Sequence, residues 1–416
     1  VTTQEPSSTP PDEKLDLRQQ GWPAYLGGSV LAVIGLVGGV AMGYAKQDGF
    51  QQFFFSYLVA WCFFLFMCLG GLFFVMLQHA VKAGWSVNVR RIAEWFASII
   101  PVMGLLSAPI IIAVVLGAKG QDSLYEWAKP GALDHMSHFK QIYLNPVFFI
   151  VRIVFYFVVW SILGLWFWKQ SVKQDVTGDY NITRLMQRIA PAGLVIFGVT
   201  FTAASFDLLM SLDMDWASTI FGVYCFAGST LTIIATLILV VIFLQARGFL
   251  RKSVTIEHFH DLGKLLFGFT FFYGYIAFDQ YMLQWYANLP DETEWYARRG
   301  ATTAMGKANG WSWVCLLILF AHILIPFAGL MSRHVKRNPV LLGFWAAWIL
   351  MMEWVDLFWI AMPQLHADFH LDVIDLCLLV GLGGLVTALI VRKASHDAIR
   401  PIHDPRLAAS LAFENV

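Results

Sequence analysis

A small set of ionisable residues stands inside otherwise apolar runs. Glu353 and Asp356 lie three residues apart in "ILMMEWVDLFWIAMPQ", a spacing that puts both on one face of a helix. Asp207 lies in "SFDLLMSL", Asp279 in "YIAFDQYMLQWY", Arg152 in "FFIVRIVFYF" and His322 in "LILFAHILIPF". Carboxyl and imidazole groups hold and pass protons, so the chemistry these residue types offer is proton transfer. There is no H-E-x-x-H or Cys/His cluster for zinc, no P-loop and no G-x-S-x-G elbow. The five cysteines sit in apolar runs without C-x-x-C or C-x-x-C-H spacing, so they read as small core residues. A b-type haem held between two facing spans needs two axial histidines. His322 is the one histidine placed near mid-membrane, so no haem is expected on this chain.

The elements that position these groups follow from composition. The chain has 416 residues, is 58% hydrophobic and 13% charged, and has a mean hydropathy of +0.62. A soluble domain carries about 25% charged residues, so lipid is the solvent this sequence expects. Net charge is zero and no basic block points to nucleic acid. A spanning helix needs about 20 apolar residues. Ten such runs are present: 24–45, 52–80, 93–117, 145–168, 189–211, 218–244, 263–288, 311–332, 339–361 and 373–392. The expected fold is all-α and polytopic. Two long loops (118–144 and 289–310) suggest two four-helix bundles, spans two to five (52–211) and six to nine (218–361), flanked by spans one and ten. A polar tail (1–23) precedes them, without the apolar core of a cleavable signal, and a second tail (393–416) follows. Twenty Lys/Arg fall on the side of the two tails and seven on the other. By the positive-inside rule both termini are expected in the cytoplasm.

This orientation places Asp207, Asp279, Glu353, Asp356 and Arg152 in the outer half of the membrane. A charge at the centre of a bilayer costs about 2.5–3.5 kcal/mol on insertion scales, so such groups face a cavity or a partner. Two readings fit: one acidic, outward-facing polar zone that conducts protons, or wetted interfacial acids with one structural pair to Arg152. On the inner side, His79 and Glu94 either line a proton entry or are ordinary wetted helix ends, and His322 either bridges the two zones or is a core histidine. The outer loops hold Asp213, Asp215 and Trp216, then Trp295, Tyr296, Arg298 and Arg299. They read as an interfacial aromatic belt or as a docking surface for extramembrane subunits. Glycine pairs at 27–28, 38–39 and 70–71 are expected to let helices approach closely.

Four stretches carry a resemblance: "SFDLLMSLDMDWASTIFGVYCFAG" (205–228), "FDQYMLQWYANLPDETEWY" (278–296), "HILIPFAGLMSRHVKRNP" (322–339) and "DPRLAASLAFEN" (404–415). With the ten-span layout they resemble the F-type polytopic subunit of bacterial alternative complex III, a quinol:cytochrome c oxidoreductase, within the NrfD/polysulfide-reductase membrane-anchor family. The resemblance covers nearly the whole chain. It implies a multi-pass subunit of the bacterial inner membrane without redox cofactors of its own. It implies multihaem and monohaem cytochrome c partners, an iron–sulfur subunit, a paralogous ten-span C-type subunit, small single-span subunits and membrane lipid. It leaves open a quinone or menaquinone site and favours proton conduction or coupling beside the quinol site. The polar residues inside the matching stretches are Asp207, Asp213, Asp215, Asp279, His322, Arg333 and His334. Two other classes stay open: an independent secondary transporter, for which no two spans carry Gly/Pro interruptions at matching positions, and a scaffold for extramembrane redox subunits.

Overall fold

The computed structural model describes residues 21–301 and 309–414. Most of the expected N-terminal tail, and residues 415–416 of the C-terminal one, lie outside the described residues. Of the described residues 78% are helical, and none is in a strand.

Ten long helices follow one another: α1 (Trp22–Ala45), α2 (Gln51–Ala80), α3 (Val87–Ala118), α4 (Pro146–Thr177), α5 (Tyr180–Leu208), α6 (Phe221–Ala246), α7 (Ile256–Ala287), α8 (Gly310–Met331), α9 (Pro339–Ala361) and α10 (Val373–Ala394). Among the described residues, nine are long and apolar enough to cross a membrane. The remaining one, α7, has 32 residues but carries more Tyr, His, Gln and Asp. The protein is therefore an all-α, multi-pass membrane protein.

Side-chain caps start several helices. Asn145 Oδ1 accepts from the Val147 and Phe148 amides at the start of α4, and Asn338 caps α9 in the same way. Two spans are interrupted. Helix α3 breaks at Ile99 and again near Ser107, and Pro101 and Pro109 open the next segments. In α8, Ile318–Leu324 forms a π-helical stretch just before Pro326, whose ring removes an amide donor. Trp348 Nε1 donates to the Ala321 carbonyl at 2.7 Å and satisfies one group of the widened turn.

Helices α2 and α6 form the centre, with 94% and 78% of their apolar windows buried, against 28% for α1. Helix α2 packs on α3, α5, α6 and α10, while α6 packs on α5, α7 and α9. Helix α1 lies mainly against α10. A Cβ at Gly35 would stand 2.4 Å from Gly381 Cα, so only glycine permits that approach. At the α2–α6 crossing, a Cβ at Gly70 would stand 2.3 Å from the Ser229 carbonyl oxygen. Gly27 and Gly38, by contrast, face open space.

Candidate functional site: a buried carboxyl–tyrosine–histidine network

Of the two readings, the structural pair to Arg152 is present, and the acids stand in separate centres, not in one zone. The first is closed. Arg152 on α4 donates to both oxygens of Asp207 on α5, from Nε at 2.9 Å and Nη2 at 2.8 Å. Tyr156 OH donates to the same carboxylate at 2.8 Å. Arg152 Nη1 also donates to the Tyr143 carbonyl, and the guanidinium lies 4.0 Å from the Tyr143 ring centroid. Asp207 is fully buried, and its charge is balanced where it stands. Arg152 and Asp207 therefore act as a pair that ties α4 to α5.

The second centre joins four helices and contains no Lys or Arg pair. Glu353 and Asp356 on α9 are both buried, as are His322 on α8, Tyr273 on α7 and Tyr224 on α6. Tyr224 OH donates to Asp356 Oδ1 and lies 2.9 Å from Tyr273 OH. The Tyr273 ring lies 4.4 Å from the His322 imidazole, tilted by 35°. His322 Nε2 stands 3.3 Å from Glu353 Oε1, within ion-pair distance but not aligned as a hydrogen bond. The two acids share a helix face but have different partners: Glu353 the histidine, Asp356 the tyrosines. Measured from the end of α9, Asp356 lies about 7.5 Å and Glu353 about 12 Å in, at 1.5 Å per residue. Gly228 makes room for Glu353, since a Cβ there would stand 2.7 Å from Oε2. His322 itself sits in the π-helical stretch, an irregularity often found where a helix serves a function.

Each member of this network can give or accept a proton: carboxyl, phenol, phenol, imidazole, carboxyl. A proton reaching Glu353 or Asp356 has hydrogen-bonding or near-contact neighbours on either side. Neither imidazole nitrogen of His322 makes a hydrogen bond, so passage from Tyr273 to His322 and from His322 to Glu353 requires the ring to reorient.

Asp279 stays outside both centres. It is half-buried on another face of α7 and makes no hydrogen bond or ion pair among the described residues. The reading that gathered it with the other acids is corrected by the helix register: Tyr273 and Gln280 face inward while Phe278 and Asp279 turn away.

The end bearing the termini is not a set of wetted helix ends. His79, Arg90, Arg91 and Glu94 are all 0–1% exposed. Glu94 lies between Arg90 and Arg91, at 3.2 and 3.4 Å. Arg90 reaches Asp404 at 2.7 Å and Arg91 reaches Asp175 at 2.5 Å. The His79 ring stacks on Phe167 at 5.8 Å. The chain after α10 folds back over this cluster, with Ser410 Oγ donating to the Trp85 carbonyl and the Ile402 amide to Asp175. Burial works against ionising Asp404, but Arg90 outweighs it and holds the carboxyl below its usual value near 3.8. Glu94 is thus a member of a neutralised clamp.

The outer-loop residues also turn inward. Trp216 and Trp295 stack at 4.1 Å, Arg299 lies 3.6 Å above the Trp295 ring, and these three are buried together with Tyr296. Arg298 pairs with Asp213 at 3.2 Å, and only Asp215 of the two loop acids is exposed. Trp216, Trp295, Tyr296 and Arg299 are internal staples between loops, not anchors offered to a partner. Tyr224, Tyr273, Gly228, Asp175 and Asp404 had no visible role in the sequence. Their parts depend on partners brought from other helices.

No protein-family model matches the chain, and no curated protein matches its sequence. The class that fold and site define is a multi-pass α-helical membrane protein with a buried cluster in which Tyr273, Tyr224 and Asp356 are hydrogen-bonded and His322 and Glu353 stand beside them.

Proposed function

We propose that this chain moves protons within the membrane as a subunit of a quinol:cytochrome c oxidoreductase. The observation that carries the proton reading is the network of Tyr224, Tyr273, His322, Glu353 and Asp356. It is buried at membrane depth, and no Lys or Arg pairs with its acids among the described residues. A structural acid at such depth is normally neutralised, as Asp207 is by Arg152. Acids left without a cation, joined to phenols and an imidazole, suit a group whose protonation changes during work.

The assignment to a quinol-oxidising complex rests on the four family-like stretches. The Lys/Arg bias supports both termini in the cytoplasm of a bacterial inner membrane, so Asp356 lies on the outward side of Glu353. In this arrangement the haems and iron–sulfur clusters belong to cytochrome c and iron–sulfur partners, quinol is oxidised at or beside the chain, and the network passes protons outward. Tyr224 and Tyr273 hold the chain of hydrogen bonds, and His322 hands protons to Glu353.

The test uses the complex isolated through a tag on this chain. Haem and iron–sulfur proteins should co-purify. The proton-to-electron ratio should fall in Asp356→Asn and His322→Gln complexes whose haem content is unchanged. An unchanged ratio in both contradicts the proton role. A chain that purifies alone instead supports a transporter.

A further inference from the structure

A cavity of about 620 Å³ lies between α1, α2, α6 and α10, and no residue of either ionisable centre lines it. Its wall is almost wholly apolar, with Leu31, Phe64, Leu239, Leu350 and Val380 among its residues. The polar side chains in the wall are few: Arg247 at its end, Thr236 and Trp95, which are engaged, and the single hydroxyl of Thr387 midway along α10. Thr236 Oγ1 donates to the Thr232 carbonyl at 2.7 Å, and Trp95 Nε1 donates to Asp397 at 3.2 Å. An occupant therefore meets no set of donors that would fix a polar ring deep inside.

Two features say what the occupant is. The first is length. The α10 wall runs from Val380 to Ala394, about 21 Å at 1.5 Å per residue. It reaches from the end of the protein that bears the termini towards mid-membrane, matching one leaflet, headgroup region included, of a bilayer about 40–45 Å thick. The second is charge. Arg247 lies in the lining at that same end, exposed, with its guanidinium 5.0 Å from the Phe243 ring centroid and no carboxylate partner among the described residues. A slot of this shape, apolar along one leaflet and cationic at the interface, complements an acyl chain that ends in a phosphate. The segment before Gly21, "VTTQEPSSTPPDEKLDLRQQ", is polar and acidic and does not supply an apolar chain.

We propose that this cavity is the seat of one anionic phospholipid, with an acyl chain lying along α6 and α10 and its phosphate held by Arg247. The chain end reaches Leu350, one helical turn from Glu353. The lipid thus forms part of the dry wall behind the carboxylate network. The assignment stands whether or not that network carries protons.

The experiment places the isolated protein, with whatever subunits accompany it, in vesicles of mixed phosphatidylglycerol and phosphatidylcholine. Chain-spin-labelled versions of each lipid report the immobilised fraction. The wild type should immobilise phosphatidylglycerol in preference to phosphatidylcholine. Arg247→Gln should cut that preference roughly fivefold, the weight of one interfacial basic residue, while an immobilised chain remains. Leu239→Trp, which fills the slot, should abolish the site. Thr387→Phe serves the same purpose if Leu239→Trp does not fold. Unchanged immobilisation in the filled variant, or unchanged headgroup preference in Arg247→Gln, overturns the proposal. Cross-linking of Leu239→Cys to a peptide segment instead of lipid overturns it too.

Discussion

Replacing Asp207 by Asn separates the closed ion pair from the carboxylate network. Asp207 accepts three hydrogen bonds, two from Arg152 at 2.9 and 2.8 Å and one from Tyr156 at 2.8 Å. Removing one partner of a buried pair costs about 3–5 kcal/mol, because the remaining charge is stranded. Arg152 retains the Tyr143 carbonyl at 2.8 Å and the Tyr143 ring, and the asparagine keeps one acceptor oxygen. The expected loss is therefore at the lower end, about 3 kcal/mol. Replacing both partners by apolar residues, Arg152→Met with Asp207→Leu, leaves no stranded charge and should restore stability to within about 1 kcal/mol of the wild type. Denaturant unfolding in detergent micelles of the single and double variants gives the coupling directly. Proton movement, corrected for folded protein, should be unaffected in the double variant. Single variants costing less than about 1 kcal/mol, with additive effects in the double, refute the idea that these residues are a pair. Lost proton movement in a stable double variant refutes their separation from the network.

Three further outcomes are expected. Gly228→Ala places a methyl 2.7 Å from Glu353 Oε2, which displaces the carboxyl from His322. Proton transfer should fall by up to about a hundredfold with little change in melting temperature. Gly70→Val forces α2 from α6 at a Cβ position 2.3 Å from the Ser229 carbonyl oxygen, and should cost roughly 1–3 kcal/mol in unfolding experiments. The docking of the segment after α10 should depend on acid. The Asp404 carboxyl is held below its value in the unfolded chain, near 3.8, so its contribution is complete above that pH and is lost as pH falls through the lower folded value. Hydrogen exchange across 395–413 should stay slow at neutral pH and rise only below about pH 4, whereas Asp404→Asn should already raise it at neutral pH.

The long apolar runs made the helices legible, because lipid demands about 20 such residues and leaves few alternatives. Their interruptions were harder to read. Pro101, Pro109 and Pro326 were visible, but membrane helices often absorb proline, and the π-helical stretch around His322 depends on Trp348 reaching across from α9. The candidate site was legible as residue types at a depth, not as partners. Depth placed Arg152, Asp207, Glu353 and Asp356 together. Rotation of each helix about its axis decided that Arg152 meets Asp207 and that Asp356 meets Tyr224. A tyrosine in an apolar run looks like any other bulky core residue until its hydroxyl finds a carboxyl. Glu94 looked like a wetted helix start because the residues that complete its cluster by pairing with Arg90 and Arg91, Asp404 and Asp175, lie some 310 and 80 positions away in sequence. The loop aromatics and arginines carried the composition of an interface, but they close on one another.

The claim that matters most is that Asp356 and Glu353 change protonation during work. Difference infrared spectroscopy on the intact complex during quinol oxidation reads the C=O stretch of a protonated carboxyl. A carboxyl band should appear in the wild type, vanish in Asp356→Asn, and shift in Tyr224→Phe, which removes the phenol that donates to Asp356. A band unaltered in Asp356→Asn, Glu353→Gln and Tyr224→Phe alike would mean that no proton passes through this network.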